Sequence, residues 1–189
     1  MKLALGTAQF GLAYGIAGKG KVVDESEVVR ILTYAASAGI ECLDTAAGYG
    51  DIEPRLARLS AGLPFSYVSK IPALPLGMNG VEGAAYVHRC IKTSMGRLGS
   101  GLRGLMFHRQ EDLMGPMGPV LWDSATQAIG NEPIGLGVSC YDPVSLEAIC
   151  QQFPVALAQL PGNALDQRLT NLRNVGCELH LRSAFLQGL

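Results

Sequence analysis

Short apolar runs alternate with stretches of helical spacing along the whole chain, and each run ends in polar residues. Residues 3–5 are the first run, opening onto a small-residue loop at 6–11. A helix begins at Asp24, where Val28, Ile31, Leu32 and Ala35 form one apolar stripe and Gly39 ends it. Asp24 and Glu27 have the spacing of a capping-box variant. Residues 40–45 are the second strand. Asp51 is placed to cap a second helix that tolerates Pro54 in its first turn. Residues 65–71 form the third strand, closing on Ser69-Lys70, and a helix follows with Val81, Ala84, Ile91, Met95 and Leu98 in phase. The fourth strand spans 104–109, a helix spans about 120–129, and the fifth strand spans 134–140. Asp142-Pro143 opens the next helix with proline at its favoured first position. Residues 155–159 are the sixth strand; Leu165, Leu169, Leu172 and Val175 mark a sixth helix closed by Gly176; and 178–184 begin a seventh strand.

Strict alternation of strand and helix means an α/β protein whose parallel strands are covered by helices. No repeat, low-complexity tract or linker interrupts it, so residues 1–189 read as a single domain. An open doubly wound sheet usually carries a nucleotide fingerprint after its first strand, and Gly6-Thr7-Ala8-Gln9-Phe10-Gly11 is not one. A (β/α)8 TIM barrel instead gathers its working residues from the C-terminal ends of several strands. Asp44, Lys70, His108, Ser139 and Gln159 are distributed in that way. A complete barrel takes roughly 250 residues. The expectation is therefore an incomplete barrel of six strand–helix units plus a seventh strand, either a fragment or a wall closed by something else.

Composition narrows the functional classes. The 189 residues are 48% hydrophobic and 16% charged with a net charge of -1, which gives no electrostatic case for nucleic acid or an anionic membrane. The first six residues are too short an apolar run for a signal peptide. The five cysteines, Cys42, Cys90, Cys140, Cys150 and Cys177, are odd in number with no Cys-x-x-Cys pair, as expected of reduced thiols in the cytoplasm. His88 reads as a packed residue of the third helix and His180 lies in a strand; neither has metal-ligand spacing, so no metal is expected. Residues 15–21 nearly spell a phosphate loop, but Val22 stands where a Mg²⁺-binding hydroxyl is needed.

The chemistry concentrates around residues 42–50. A strand ends in Asp44, and Tyr49 follows between Gly48 and Gly50, glycines that permit a tight loop. Taken singly, Asp44 is a turn residue, Tyr49 a packing residue, Lys70 a solvated lysine and His108 a satisfied buried histidine. Together, at successive strand ends, they read as a site. Arg109 reads equally as a substrate contact or a solvated strand-end charge.

The chain resembles the aldo-keto reductases, NADPH-dependent (β/α)8-barrel enzymes. The residues that carry the likeness are Gly6-Thr7-Ala8, the run from Leu43 to Gly50 with Glu53, Val68-Ser69-Lys70, Phe107-His108-Arg109 and Gly137-Val138-Ser139. Gln159-Leu160-Pro161-Gly162-Asn163 and the final Arg182 to Leu189 are similar to a bacterial branch, some of whose members occur in carbohydrate biosynthesis. The resemblance implies a catalytic tetrad of Asp44, Tyr49, Lys70 and His108. Tyr49 would donate the proton; Lys70, held by Asp44, would lower the tyrosine pKa; and His108 would orient the carbonyl oxygen. It also implies an NADPH site with Gly6, Thr7, Ser139, Gln159, Arg182 and Ser183. Cys140 stands where many members have Asn, and Arg182 where many stack an aromatic ring on the nicotinamide. The family's segment with the residues that grip the 2'-phosphate lies after the seventh strand. A carbonyl reductase acting on aldehydes, ketones or sugar-derived substrates is thus expected. The alternative is a truncated or repurposed barrel acting as a non-catalytic binding or regulatory protein, and the open edge leads to an expectation of either self-association across it or a tail that orders on cofactor binding.

Overall fold

Seven strands and seven α-helices alternate in a computed structural model that describes residues 2–14, 21–172 and 175–186. In chain order they are β1 (Ala4–Gly6), α1 (Ala8–Gly11), α2 (Glu25–Ser37), β2 (Cys42–Asp44), α3 (Ile52–Leu59), β3 (Ser66–Ile71) and α4 (Gly80–Leu98). There follow β4 (Leu102–Phe107), α5 (Glu111–Met114), α6 (Gly118–Ile129), β5 (Gly135–Ser139), α7 (Pro143–Gln152), β6 (Leu157–Pro161) and β7 (Glu178–Arg182). The strands pair in parallel in the order β1-β2-β3-β4-β5-β6-β7.

The sheet is curled rather than flat. Strands β2 and β6 are four places apart, which in a flat sheet is about 19 Å at the usual strand spacing. Yet Gln159 Nε2 on β6 donates to Asp44 Oδ2 on β2 at 3.1 Å. Arg103 on β4 likewise reaches across to Glu178 on β7 at 3.0 Å. These are side chains meeting inside a cylinder. Among the described residues β7 does not pair with β1, so the wall is an incomplete (β/α)8 barrel open between those strands.

The alternation of strand residues sorts the core into two parts. Leu43, Leu105, Phe107, Val138 and Leu160 face outward and join the helix stripes in one large cluster. Val68, Met106 and Leu157 form a second cluster inside the barrel, with Cys42 packed against it. A Cβ at Gly137 would lie 1.7 Å from the Leu157 carbonyl oxygen, so the approach of β5 to β6 requires glycine there. At the open side the outward face is uncovered: Leu179 and Leu181 are 44% and 58% exposed.

Several local expectations are corrected. Asp24 and Asp51 stand at helix N-caps without accepting a side-chain capping bond, and Glu27 turns instead to Arg30 at 2.6 Å. The capping box is at α4, where Asn79 accepts from the Val81 and Glu82 amides and Glu82 accepts from the Asn79 amide. His88 is exposed, because it sits one residue round the helix from buried Val87. The sixth helix reduces to a 3₁₀ turn at Arg168–Asn171, with Leu165 83% exposed. The Asn163 side-chain oxygen Oδ1 accepts from the Leu165 and Asp166 amides at 2.8 and 2.9 Å, a local turn that competes with helix. The phosphate-loop-like stretch lies, but for Lys21, outside the described residues. No described helix is long and apolar enough to cross a membrane.

Candidate active site

Strand β2 delivers Asp44 to the C-terminal mouth, and Thr7 fixes it there. The Thr7 amide and hydroxyl both donate to the Asp44 carbonyl, at 2.9 and 3.0 Å. Thr7 is fully buried. Gly6 pairs in register with Asp44, and a Cβ there would meet nothing within 4 Å. The loop after β2 turns at Gly50, whose φ of +68° suits glycine, whereas Gly48 has no such requirement. That loop presses on Gly11, where a Cβ would lie 2.0 Å from the Tyr49 carbonyl oxygen. Tyr49 is thereby turned back over the strand ends.

Lys70 ends β3 with its ammonium buried. It is 2% exposed and donates to Asp44 Oδ1 at 2.6 Å and to the Thr45 carbonyl at 2.9 Å. The second Asp44 oxygen takes the Gln159 amide. Each oxygen of the carboxylate thus has a partner, which is the condition for a buried ion pair to be tolerated. The ammonium lies 5.9 Å from the centre of the Tyr49 ring. His108 meets the same ring edge-on, with centroids 5.9 Å apart and planes at 76°. Asp44, Tyr49, Lys70 and His108 therefore converge on one mouth from three strand ends and a loop.

The electrostatics correct one expectation. Tyr49 is not made acidic by Lys70: burial, and then the Asp44 carboxylate, push its phenol up to about 12. Asp44 compensates the lysine charge at contact distance, and the cation that opposes the rise is Arg182. Burial lowers the pKa of His108 first, and Lys70 and Arg182 lower it further. The imidazole is neutral at pH 7 and keeps one N–H donor.

The remaining expected positions line the same end. Ser139 closes β5 and is buried, as is Gln159 on β6. Arg182 closes β7 with its guanidinium 4.6 Å over the Tyr141 ring and one N–H directed at the Cys140 carbonyl at 3.4 Å. Ser183 has a left-handed φ of 61° and its carbonyl accepts from Asn163. Arg109 is not the solvated strand-end charge of its second reading. It pairs with Asp112 and donates to the Leu74 carbonyl at 3.1 Å, clamping two loops together.

The sequence reading missed Tyr141 and Gln110. Buried Gln110 accepts from the Tyr141 amide at 2.8 Å and donates to Ser145 at 3.1 Å, so it holds the loop that presents Tyr141. An aromatic two residues beyond Ser139 at a strand end was the available signal. Glu53, part of the quoted motif, is buried and accepts from Ser69 and Ser94 at 2.7 Å each and from Arg97 at 3.3 Å. It welds α3 to β3 and α4.

Residues 2–66 match the model of the aldo/keto reductase family. That match covers the N-terminal third of the chain. Solved aldo-keto reductase structures extend the likeness to the rest of the fold. A Pseudomonas aeruginosa protein assigned as an aldo-keto reductase is 20% identical with a TM-score of 0.76, covering 97% of this chain and 74% of that one. The holo form of a Bacillus halodurans aldo-keto reductase is 18% identical with a TM-score of 0.76, over 99% of this chain and 63% of its own. A glycerol dehydrogenase of Gluconobacter oxydans is 18% identical with a TM-score of 0.70, over 98% and 60%. This chain thus spans about three fifths to three quarters of the length of these aldo-keto reductases, and at such identities the likeness is one of fold. No curated protein matches the sequence.

The donor chemistry of the mouth fits the nicotinamide end of a dinucleotide. Open space beside Gly6, the strand-end groups of Ser139 and Gln159, and the cation at Arg182 meet the needs of an amide-bearing ring with anionic groups behind it.

Proposed function

We propose that the chain is an NADPH-dependent carbonyl reductase of aldo-keto reductase type, converting an aldehyde or ketone, sugar-derived substrates included, to the alcohol. The observation that carries this reading is the buried Lys70–Asp44 pair set against the Tyr49 ring, with neutral His108 edge-on to the same ring. Tyr49 gives its proton to the carbonyl oxygen as the carbon is reduced, and His108 donates a hydrogen bond to the same oxygen. Lys70, fixed by Asp44, lies 5.9 Å from the ring centre, and Arg182 is the cation whose field favours the phenolate left behind. NADPH, when bound, supplies the hydride that no side chain can. Gly6, Thr7, Ser139, Gln159, Arg182 and Ser183 are the residues proposed to hold it.

A phenol at about 12 is protonated throughout the neutral range. That suits reduction, which consumes its proton, and disfavours alcohol oxidation, which needs the phenolate. The test is carbonyl-dependent NADPH oxidation. Tyr49→Phe should lose about 10²- to 10⁴-fold in turnover, the usual worth of a placed general acid, with thermal stability kept. Turnover that survives the substitution removes Tyr49 from the chemistry.

The chain is further proposed to be one domain working in the cytoplasm, where its five unpaired thiols stay reduced. A second reading rests on the open wall between β1 and β7: a barrel that binds without catalysing, or associates with itself along that edge. Sedimentation separates the two edge states, since a monomer at every concentration excludes self-association.

A further inference from the structure

Two of the five thiols face each other where a helix meets the edge strand. Cys150 sits in the last turn of α7, and Cys177 is the residue before β7. Both pack against the outward-facing core and both are partly exposed. The Cys150 thiol donates a hydrogen bond to the Cys177 sulfur. Sulfurs in that contact need only small side-chain rotations to bond. Gly176, at a left-handed φ of +69°, makes the turn that leads Cys177 into the strand. The other three thiols are placed differently. Cys140 lies near enough to feel both charges but is buried, Cys42 is inside the barrel beside Arg103, and Cys90 is on α4.

We propose that Cys150 and Cys177 are a modification site: an oxidant of the peroxide class joins them in a disulfide that clips β7, the strand at the open edge, to α7. This is independent of the reaction at the mouth. The hydrogen bond sets the order of events. Burial raises both thiols, but Cys177, by accepting the Cys150 S–H, is the sulfur eased toward thiolate, while burial and the neighbouring Cys177 hold Cys150 up at about 11. The Cys177 thiolate attacks one peroxide oxygen and becomes a sulfenic acid, as the departing hydroxide takes up a proton to form water. Cys150 then gives up its proton and attacks the sulfenic sulfur, expelling the second water. Two thiols lose two electrons between them, and one peroxide is reduced to two waters. The consequence is mechanical. Among the described residues β7 pairs with β6 alone, and its Leu179 and Leu181 are uncovered. A covalent tie at its start therefore restrains a strand supported on one side only.

The full chain is treated with hydrogen peroxide in native buffer between pH 7 and 9, the remaining thiols are blocked, and the digest is mapped by mass spectrometry without reductant. The expected product is the cross-linked Cys150–Cys177 peptide pair, lighter than the free peptides by two hydrogens and released by dithiothreitol. Its rate of formation should rise about tenfold per pH unit, because thiolate is the reacting form and both thiols are held above their ordinary value. Amide exchange in β7 should slow at least about tenfold on oxidation while β3 keeps its protection. Cys150→Ser should abolish both the link and the slowing, and Cys90→Ser should leave both in place. A map in which the two sulfurs end as sulfinic acids, or in which either is joined to another cysteine, overturns the proposal, as does a link that forms only in urea. A native link that leaves β7 exchange unchanged also overturns it, since nothing is then clipped. The wild-type map decides the pairing even where a variant folds poorly.

Discussion

Two charged clusters occupy the inside of the same barrel, and they are built differently. At the mouth Lys70 and Asp44 are 2% and 20% exposed, 2.6 Å apart, with Gln159 on the second carboxylate oxygen. At the opposite end Arg103 meets Glu178 at 3.0 Å with His180 and Cys42 beside them, and the pair is 35% and 53% exposed. The mouth pair is enclosed by β2, β3 and β6, all internal strands of the sheet. The base pair joins β4 to β7, the open edge. An ion pair in a dry interior costs much to form and more to break, whereas a wet one contributes little either way. The mouth cluster is therefore the one whose charges are held away from water, and the base cluster is a strut for the edge strand.

That contrast is open to disruption from each side. Lys70→Met leaves the Asp44 carboxylate buried without its counter-charge and should cost about 3 kcal/mol in urea unfolding; Arg103→Met should cost under about 1 kcal/mol, being more than a third exposed. Equal costs would erase the distinction. Gln159→Leu removes a hydrogen bond to an ionised carboxylate and is expected to cost about 2 kcal/mol, a value that a near-neutral effect on unfolding would contradict.

Glu178→Gln is expected to act locally and more weakly still, speeding amide exchange in β7 while β3 and β4 keep their protection. The same strut has a pH signature. Hydrogen bonds from Arg103 hold the Glu178 carboxyl down at about 2, against an ordinary value of 4.5. A carboxyl depressed on folding stabilises above its unfolded value and loses that contribution as pH falls through the folded one. Protection of β7 should therefore decline between about pH 4.5 and 2, and Glu178→Gln should flatten the decline.

The sequence announces the wall more clearly than the site's electrostatics. Apolar runs ending in Asp44, Lys70, His108, Ser139 and Gln159 revealed both the parallel barrel and the end at which its polar groups gather, because each signal is local. The sixth helix misled, since the apolar spacing of Leu165, Leu169 and Leu172 is helical while Asn163 ties the backbone into a turn. The bond from Gln159 to Asp44 spans 115 residues and exists only because the sheet curls. The direction of the Tyr49 shift was illegible for a related reason. Lysine near tyrosine suggests an acidic phenol, but burial and the compensating Asp44 carboxylate outweigh it, and both are properties of the folded mouth.

The most direct test of the account is the pH dependence of kcat/KM for carbonyl reduction from pH 6.5 to 10. With the Tyr49 proton held to about 12, the rate should be flat across that range and fall about 10²- to 10⁴-fold in Tyr49→Phe at every pH. A rate that falls with a midpoint near 8 in the wild type would mean that the donor is an acidified group, contradicting the protonated phenol at the barrel mouth.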